Sequence, residues 1–147
     1  MVRTLTAPII VFLSTVAAAD QTVGVFVNEP EAMDGYTLFA PSGSTSTYLI
    51  DNEGDLVHEW VSTDQPGQSV YLLEDGDLMR TGSPSSVTSF RTGGAGGLIE
   101  RIEWDGTVSW SHLHASADHR QHHDIAVLPS GNVLALSVLR ELVARHD

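Results

Sequence analysis

The sequence contains no cysteine. That removes disulfides, thiol nucleophiles and cysteine-ligated zinc together. It also contains no lysine, so all seven basic residues are arginines, set against nineteen acids for a formal net charge of -12. Such a surface repels nucleic acid and anionic membranes, and no nucleic-acid partner is expected. Long apolar runs are scarce. The longest, from Leu5 to about Ala18, falls short of the roughly 20 residues that cross a bilayer, so no stable membrane span is expected. Helical periodicity is almost missing after Asp20.

At the N-terminus the chain carries a secretory pattern. Arg3 gives a short basic start, the apolar run follows, and Ala17, Ala18 and Ala19 offer a small-residue cleavage site. Residues 1–19 are read as a signal peptide and the protein as exported, periplasmic or secreted. The alternative is a short membrane-anchoring helix that stays attached.

Beyond it lie short β-rich runs separated by Gly, Asp, Asn and Pro. They cover residues 36–40, 47–51, 56–60, 69–73, 77–80, 98–103, 107–110, 123–128 and 132–136. The runs repeat. "LIDNEGDLVHEW" is echoed by "RIEWDGTVSWSH", and "VYLLEDGDLMR" by "IAVLPSGNVLAL". Gly54 maps to Gly106, 52 residues on, and Gly76 to Gly131, 55 residues on. A unit of about 50 residues holding two hairpins has the grammar of a β-propeller blade. The turns "EDGD" and "PSGN" place glycine where a positive φ is needed.

The expected fold is therefore all-β, an incomplete β-propeller. Residues 20–136 hold about two to three four-stranded blades. Such a set does not close a ring, which implies an N-terminal piece of a larger protein or a product that self-associates through uncovered blade edges. Residues 137–147 form an atypical tail, in which Leu139, Leu142 and Val143 fall at helical spacing. Trp60 and Trp110 are expected to pack between neighbouring blades. Residues 83–97 are read as a flexible loop joining the two units, with Arg91 solvated in it.

Five histidines crowd residues 111–124, "SHLHASADHRQHHD". His112 and His114 can place both rings on one side of a strand, a possible pair of metal ligands, but no third ligand is fixed and no metal is assigned. His122 and His123, as neighbours, cannot share a strand face. The innermost strand of a blade lines the central channel, and "HHDIAVL" reads as such a strand with its polar residues at a channel mouth. An imidazole there can donate to an oxyanion, move a proton or act as a nucleophile. Asp124 can orient one of the two rings. The competing reading is a polar strand start whose histidines cap loose amides.

The stretch "GVFVNEPEAMDGYTLFAPSGSTSTYLIDNEGDLVHEW" at residues 24–60, then "YLLEDGDLMRTG" and "QHHDIAVLPSGNVLAL", resembles the N-terminal part of the bacterial arylsulfotransferase family. "GYTLFAP" and "HHD-I-x-x-LP-x-GN-x-L" are its more specific parts. The resemblance implies a six-bladed propeller, usually exported. It moves a sulfuryl group from a phenolic sulfate ester to a phenol through a histidine intermediate, with no cofactor. On that resemblance His122, His123 and Asp124 match a channel motif, assigned to sulfuryl-oxygen binding or proton transfer. Arg80 and His58 are weaker candidates for substrate contact, and His58 sits mid-strand, where a structural role is favoured. No position here matches the family's nucleophilic histidine or its partner arginine. The resemblance places those in later blades, so this chain alone is expected to be inactive. Two rival readings are a non-catalytic secreted β-propeller binding module and a His-rich metal-binding module.

Overall fold

The computed structural model describes residues 24–87 and 93–140. The signal-peptide reading of residues 1–19, Arg91, His146 and residues 141–147 of the tail lie outside the described residues. Those that are described hold no helix and nine strands. In chain order these are β1 (Thr37–Phe39), β2 (Ser46–Ile50), β3 (Leu56–Val61), β4 (Gln65–Leu72), β5 (Leu78–Ser83), β6 (Leu98–Ile102), β7 (Val108–Leu113), β8 (His119–Val127) and β9 (Val133–Leu139). Each overlaps one of the β-rich runs read from the sequence. The last one runs further than expected. Ser137, Val138 and Leu139 continue β9 rather than starting a helix, because each still has a partner on β8.

The strands form three antiparallel sheets, β1-β2-β3, β4-β5-β6-β7 and β8-β9. Each is a meander, in which every strand pairs with its neighbour in sequence. No barrel closes among the described residues.

The fifty-residue repeat is visible down to its irregularities. The β2–β3 pairing slips between Leu49 and Ile50, and the β6–β7 pairing slips between Arg101 and Ile102, the same offset of 52. The β4–β5 pairing slips between Pro66 and Val70, and the β8–β9 pairing between Gln121 and Ile125, an offset of 55. The four hairpin turns that recur in the repeat close alike. Leu73 N donates to Asp77 O at 2.8 Å and Gly76 N to Leu73 O at 3.0 Å; Leu128 N donates to Asn132 O and Gly131 N to Leu128 O, both at 2.8 Å. The turns at residues 51–55 and 103–107 repeat that pattern. Gly76 and Gly131 take φ of 91° and 82°, the left-handed region that glycine enters without steric penalty.

The two central strands of the middle sheet, β5 and β6, are covered on both faces, because β-strand side chains alternate. Leu78 and Ile102 turn to the first sheet and pack with Leu49 and Trp60. Met79 and Ile99 turn the other way and pack with Ile125. Each such aliphatic side chain contributes about 1.5–3 kcal/mol on full burial. As a result β4 and β8, the first strands of their sheets, lie side by side. Trp60 meets the expectation of packing between sheets, at 1% exposed. Trp110 does not: it is 43% exposed, and no described indole packs on it as Trp104 packs on His58.

Candidate functional site

The adjacency of β4 and β8 brings two equivalent bulges together. Residues 67–69, Gly-Gln-Ser, interrupt the pairing of β4 with β5. Residues 122–124, His-His-Asp, interrupt that of β8 with β9 at the matching place. An extra residue in a bulge bends the strand and re-aims its side chains. Gln68, Ser69, Val70, Tyr71, His123 and Asp124 then line one opening of about 440 Å³.

The first bulge is held from below. Thr81 Oγ1, on β5, accepts from Gln68 N and Ser69 N at 3.1 Å each. In the second bulge the position equivalent to Thr81 is Leu136, which offers no acceptor. The loop at residues 93–97 substitutes. His123 N donates to Gly94 O at 2.8 Å, Gly96 N to Gln121 O at 3.1 Å and Gly97 N to Gln121 Oε1 at 3.2 Å.

His123 carries a positive φ of 54°, the one non-glycine among the described residues that does so. Such a conformation costs of order 1 kcal/mol outside glycine. It overturns the expectation that His122 and His123 point to opposite faces. Alternation is suspended in the bulge, and the two rings meet edge to face with centroids 4.1 Å apart.

Their hydrogen bonds fix the tautomers. His122 Nε2 lies 2.6 Å from Gly93 O, and a carbonyl can only accept, so Nε2 carries the proton. With the ring neutral, His122 Nδ1 is then an acceptor. His123 Nδ1 lies 2.7 Å from it and so donates. That leaves His123 Nε2 with an open lone pair and no hydrogen-bond partner among the described residues. The ring lies over Gly94, where an added Cβ would meet Nε2 at 2.6 Å.

Asp124 does not orient either imidazole, contrary to expectation. Its Oδ1 accepts from Tyr71 Oη at 2.7 Å and from Ile125 N at 2.8 Å. Tyr71 was not singled out in the sequence, since its link to Asp124 spans 53 residues. The hydrogen bond to Asp124 raises the Tyr71 phenol above its ordinary value, with desolvation and the carboxylate charge acting in the same direction. The phenol therefore stays protonated at neutral pH, a fixed donor beside a fixed carboxylate.

The other sequence candidates sit elsewhere. Arg80 is 1% exposed and faces the first sheet. Its Nη2 donates to Asp64 O at 2.9 Å, and its Nη1 lies 3.6 Å from Glu100 Oε2. Burial lowers its guanidinium below the ordinary value, while Glu100 and Asp64 push back. It does not line the opening. Nor does it end a strand, for β5 continues to Ser83. His58 is half-buried and stacks on Trp104, with centroids 4.0 Å apart and planes at 15°. That is the structural place favoured for it. His112 and His114 do share a face, with rings 5.9 Å apart. Among the described residues no group of three or more His, Asp or Glu is arranged to hold a metal ion. No described helix is long and apolar enough to cross a membrane.

No family model, curated protein or solved structure matches this chain.

Proposed function

We propose that the three sheets are consecutive blades of an exported β-propeller of the arylsulfotransferase type, and that the paired bulges of β4 and β8 border its channel. The meander order and the exact recurrence of both register slips support the blade reading. In it β4 and β8 are innermost strands, and the first sheet supplies the second to fourth strands of a blade. The substrates are a phenolic sulfate ester and an acceptor phenol, and no cofactor takes part.

The observation that carries the functional part is the free Nε2 of His123, set by the chain of hydrogen bonds from Gly93 O through His122. A lone pair so held can take the proton from a phenol O–H as its oxygen attacks sulfur. The proton moves to Nε2, the phenol oxygen bonds to sulfur, and the sulfur–nitrogen bond to the nucleophilic histidine that the resemblance places in a later blade breaks, which returns that imidazole with its electron pair. His122 is then a positioning residue for His123. Asp124 and Tyr71 form the wall beside it, and Tyr71 Oη, whose proton goes to Asp124, offers an acceptor to the bound molecule. Arg80 and His58 act through packing, not through substrate contact.

A second reading rests on one observation. Among the described residues, which leave out Arg91, no arginine lines the opening, and the Asp124 carboxylate does. A sulfate ester is an anion and is repelled by that carboxylate. A neutral phenol is not, and this favours a non-catalytic binding module.

Titration of the ¹⁵N-labelled protein separates the two. With p-nitrophenyl sulfate, the arylsulfotransferase reading expects saturable shifts at His123 and Tyr71 that disappear in His123→Ala. Shifts with phenol but not with the sulfate ester support the binding module. Shifts with neither sink both. The chain alone is expected to transfer no sulfate from p-nitrophenyl sulfate to phenol, since no residue matches the family's nucleophile.

A further inference from the structure

The repeat places two equivalent aromatic surfaces in different surroundings. On β3, His58 and Trp60 face the middle sheet. There they receive Trp104 from the turn between β6 and β7. Its ring stacks on His58 and meets Trp60 edge-on at 5.4 Å and 86°. Trp60 Nε1 closes the contact by donating to Glu103 O at 3.1 Å. So the first sheet holds the tip of the second hairpin of the middle sheet, β6–β7, by an indole in the turn and a backbone carbonyl beside it.

Fifty-two residues on, the corresponding positions on β7 are Trp110 and His112. They face the third sheet, stacked at 6.1 Å and 19°. No described residue plays the part of Trp104. Among the described residues the third sheet ends at β9, and between it and β7 is an opening of about 670 Å³. Its floor is Met79, Ile99, Val133 and Ala135, and its wall is Trp110 and His112. The outer edge of β9 has no paired strand among the described residues, so its backbone groups are available to one. Residues 141–147 contain no tryptophan.

We propose that this opening is a docking site for a polypeptide β-hairpin carrying a tryptophan in its turn. One strand of the hairpin adds to the edge of β9, and the indole enters between Trp110 and the floor. Strand addition supplies main-chain hydrogen bonds and the pocket supplies selectivity, the usual division in this mode of recognition. His112 takes the place of Trp60 and can donate to the carbonyl beside the incoming indole. The argument rests on the internal repeat alone and is independent of any activity at His123.

The probe is this chain's own hairpin as a separate peptide, residues 98–113 with Leu98→Cys and Leu113→Cys oxidised to hold the pair. These two positions are register partners. An isolated hairpin is only marginally stable without such a staple. Calorimetric titration into the full chain is expected to show saturable binding. Trp104→Ala in the peptide, or Trp110→Ala in the chain, is expected to weaken it by about tenfold or more, as for a central aromatic anchor. Trp110 is 43% exposed, and an unchanged melting profile of Trp110→Ala shows that the fold is intact. No saturable binding by a peptide shown by NMR to be a folded hairpin overturns the proposal. Binding that ignores both substitutions overturns it too.

Discussion

At the scale of single residues, the candidate site is organised by one acceptor and one tautomer chain. Asp124 Oδ1 serves both Tyr71 and the amide of Ile125, so it ties β4 to β8 as well as shaping the opening. The pH dependence of that tie follows from the raised Tyr71 phenol. A folded-state value above the unfolded one means that the contribution is complete below the ordinary tyrosine range. It is lost as pH rises through the raised value. Tyr71→Phe is therefore expected to cost about 1 kcal/mol or less at neutral pH, the pair being open to solvent. The difference between the two proteins is expected to close in strong alkali. Urea unfolding at neutral and alkaline pH checks this, and a gap that widens in alkali contradicts it. His123 shows the limit of reading residues one at a time. Its neighbours in sequence imply a ring on the face opposite His122, yet the positive φ brings the rings together.

At the scale of elements, the bulge is the unit that repeats, and it was only half legible. Alternation marked Ile125 and Val127 as one face, and both pack against the middle sheet. The turn glycines marked all four hairpins, and their echo at offsets of 52 and 55 residues fixed the strand pairs. Residues 67–69 and 122–124 were not recognised as equivalents, because they share no residue type and a bulge suspends the alternation that would align them. Thr81 was equally silent. A threonine in a strand is ordinary, and only the fold shows that its hydroxyl accepts from both bulge amides. Trp110 was read, like Trp60, as packing between blades, but the offset of 52 residues aligns it with the half-buried His58, whose cover is the Trp104 ring. The bulge of β4 yields a direct expectation. Thr81→Val keeps the shape of a fully buried side chain and leaves two amides without their acceptor. The expected cost is about 1–3 kcal/mol, measured as a shift of the urea midpoint. A change within a few tenths of a kcal/mol would mean that the bulge holds itself.

At the scale of the whole molecule, the three sheets present two outer faces on which no described residue packs. On the first sheet, Phe39 and Val61 turn away from the middle sheet at 39% and 65% exposed. On the third, Leu134 and Leu136 do the same at 59% and 56%. Contiguous apolar faces of this kind drive association. In a repeated architecture the two are complementary, since each is the kind of face that its own neighbour buries inside the chain. Contact of one end with the opposite end of a second copy is heterologous and need not stop at two. Opposing it is a net charge of -12, carried by every copy. Charge repulsion is screened by salt and apolar attraction is not, so the balance tips with ionic strength. Sedimentation velocity is therefore expected to show larger species as salt is raised from about 0.02 M to about 0.5 M, where the Debye length falls from roughly 20 Å to roughly 4 Å. Leu134→Glu with Leu136→Glu is expected to hold the protein monomeric across that range, with its melting profile unchanged because both side chains already face water. A monomer at every salt concentration in the unsubstituted protein would show that the bare faces do not meet. Equal association in the double variant would place the contact on the edges of the sheets instead.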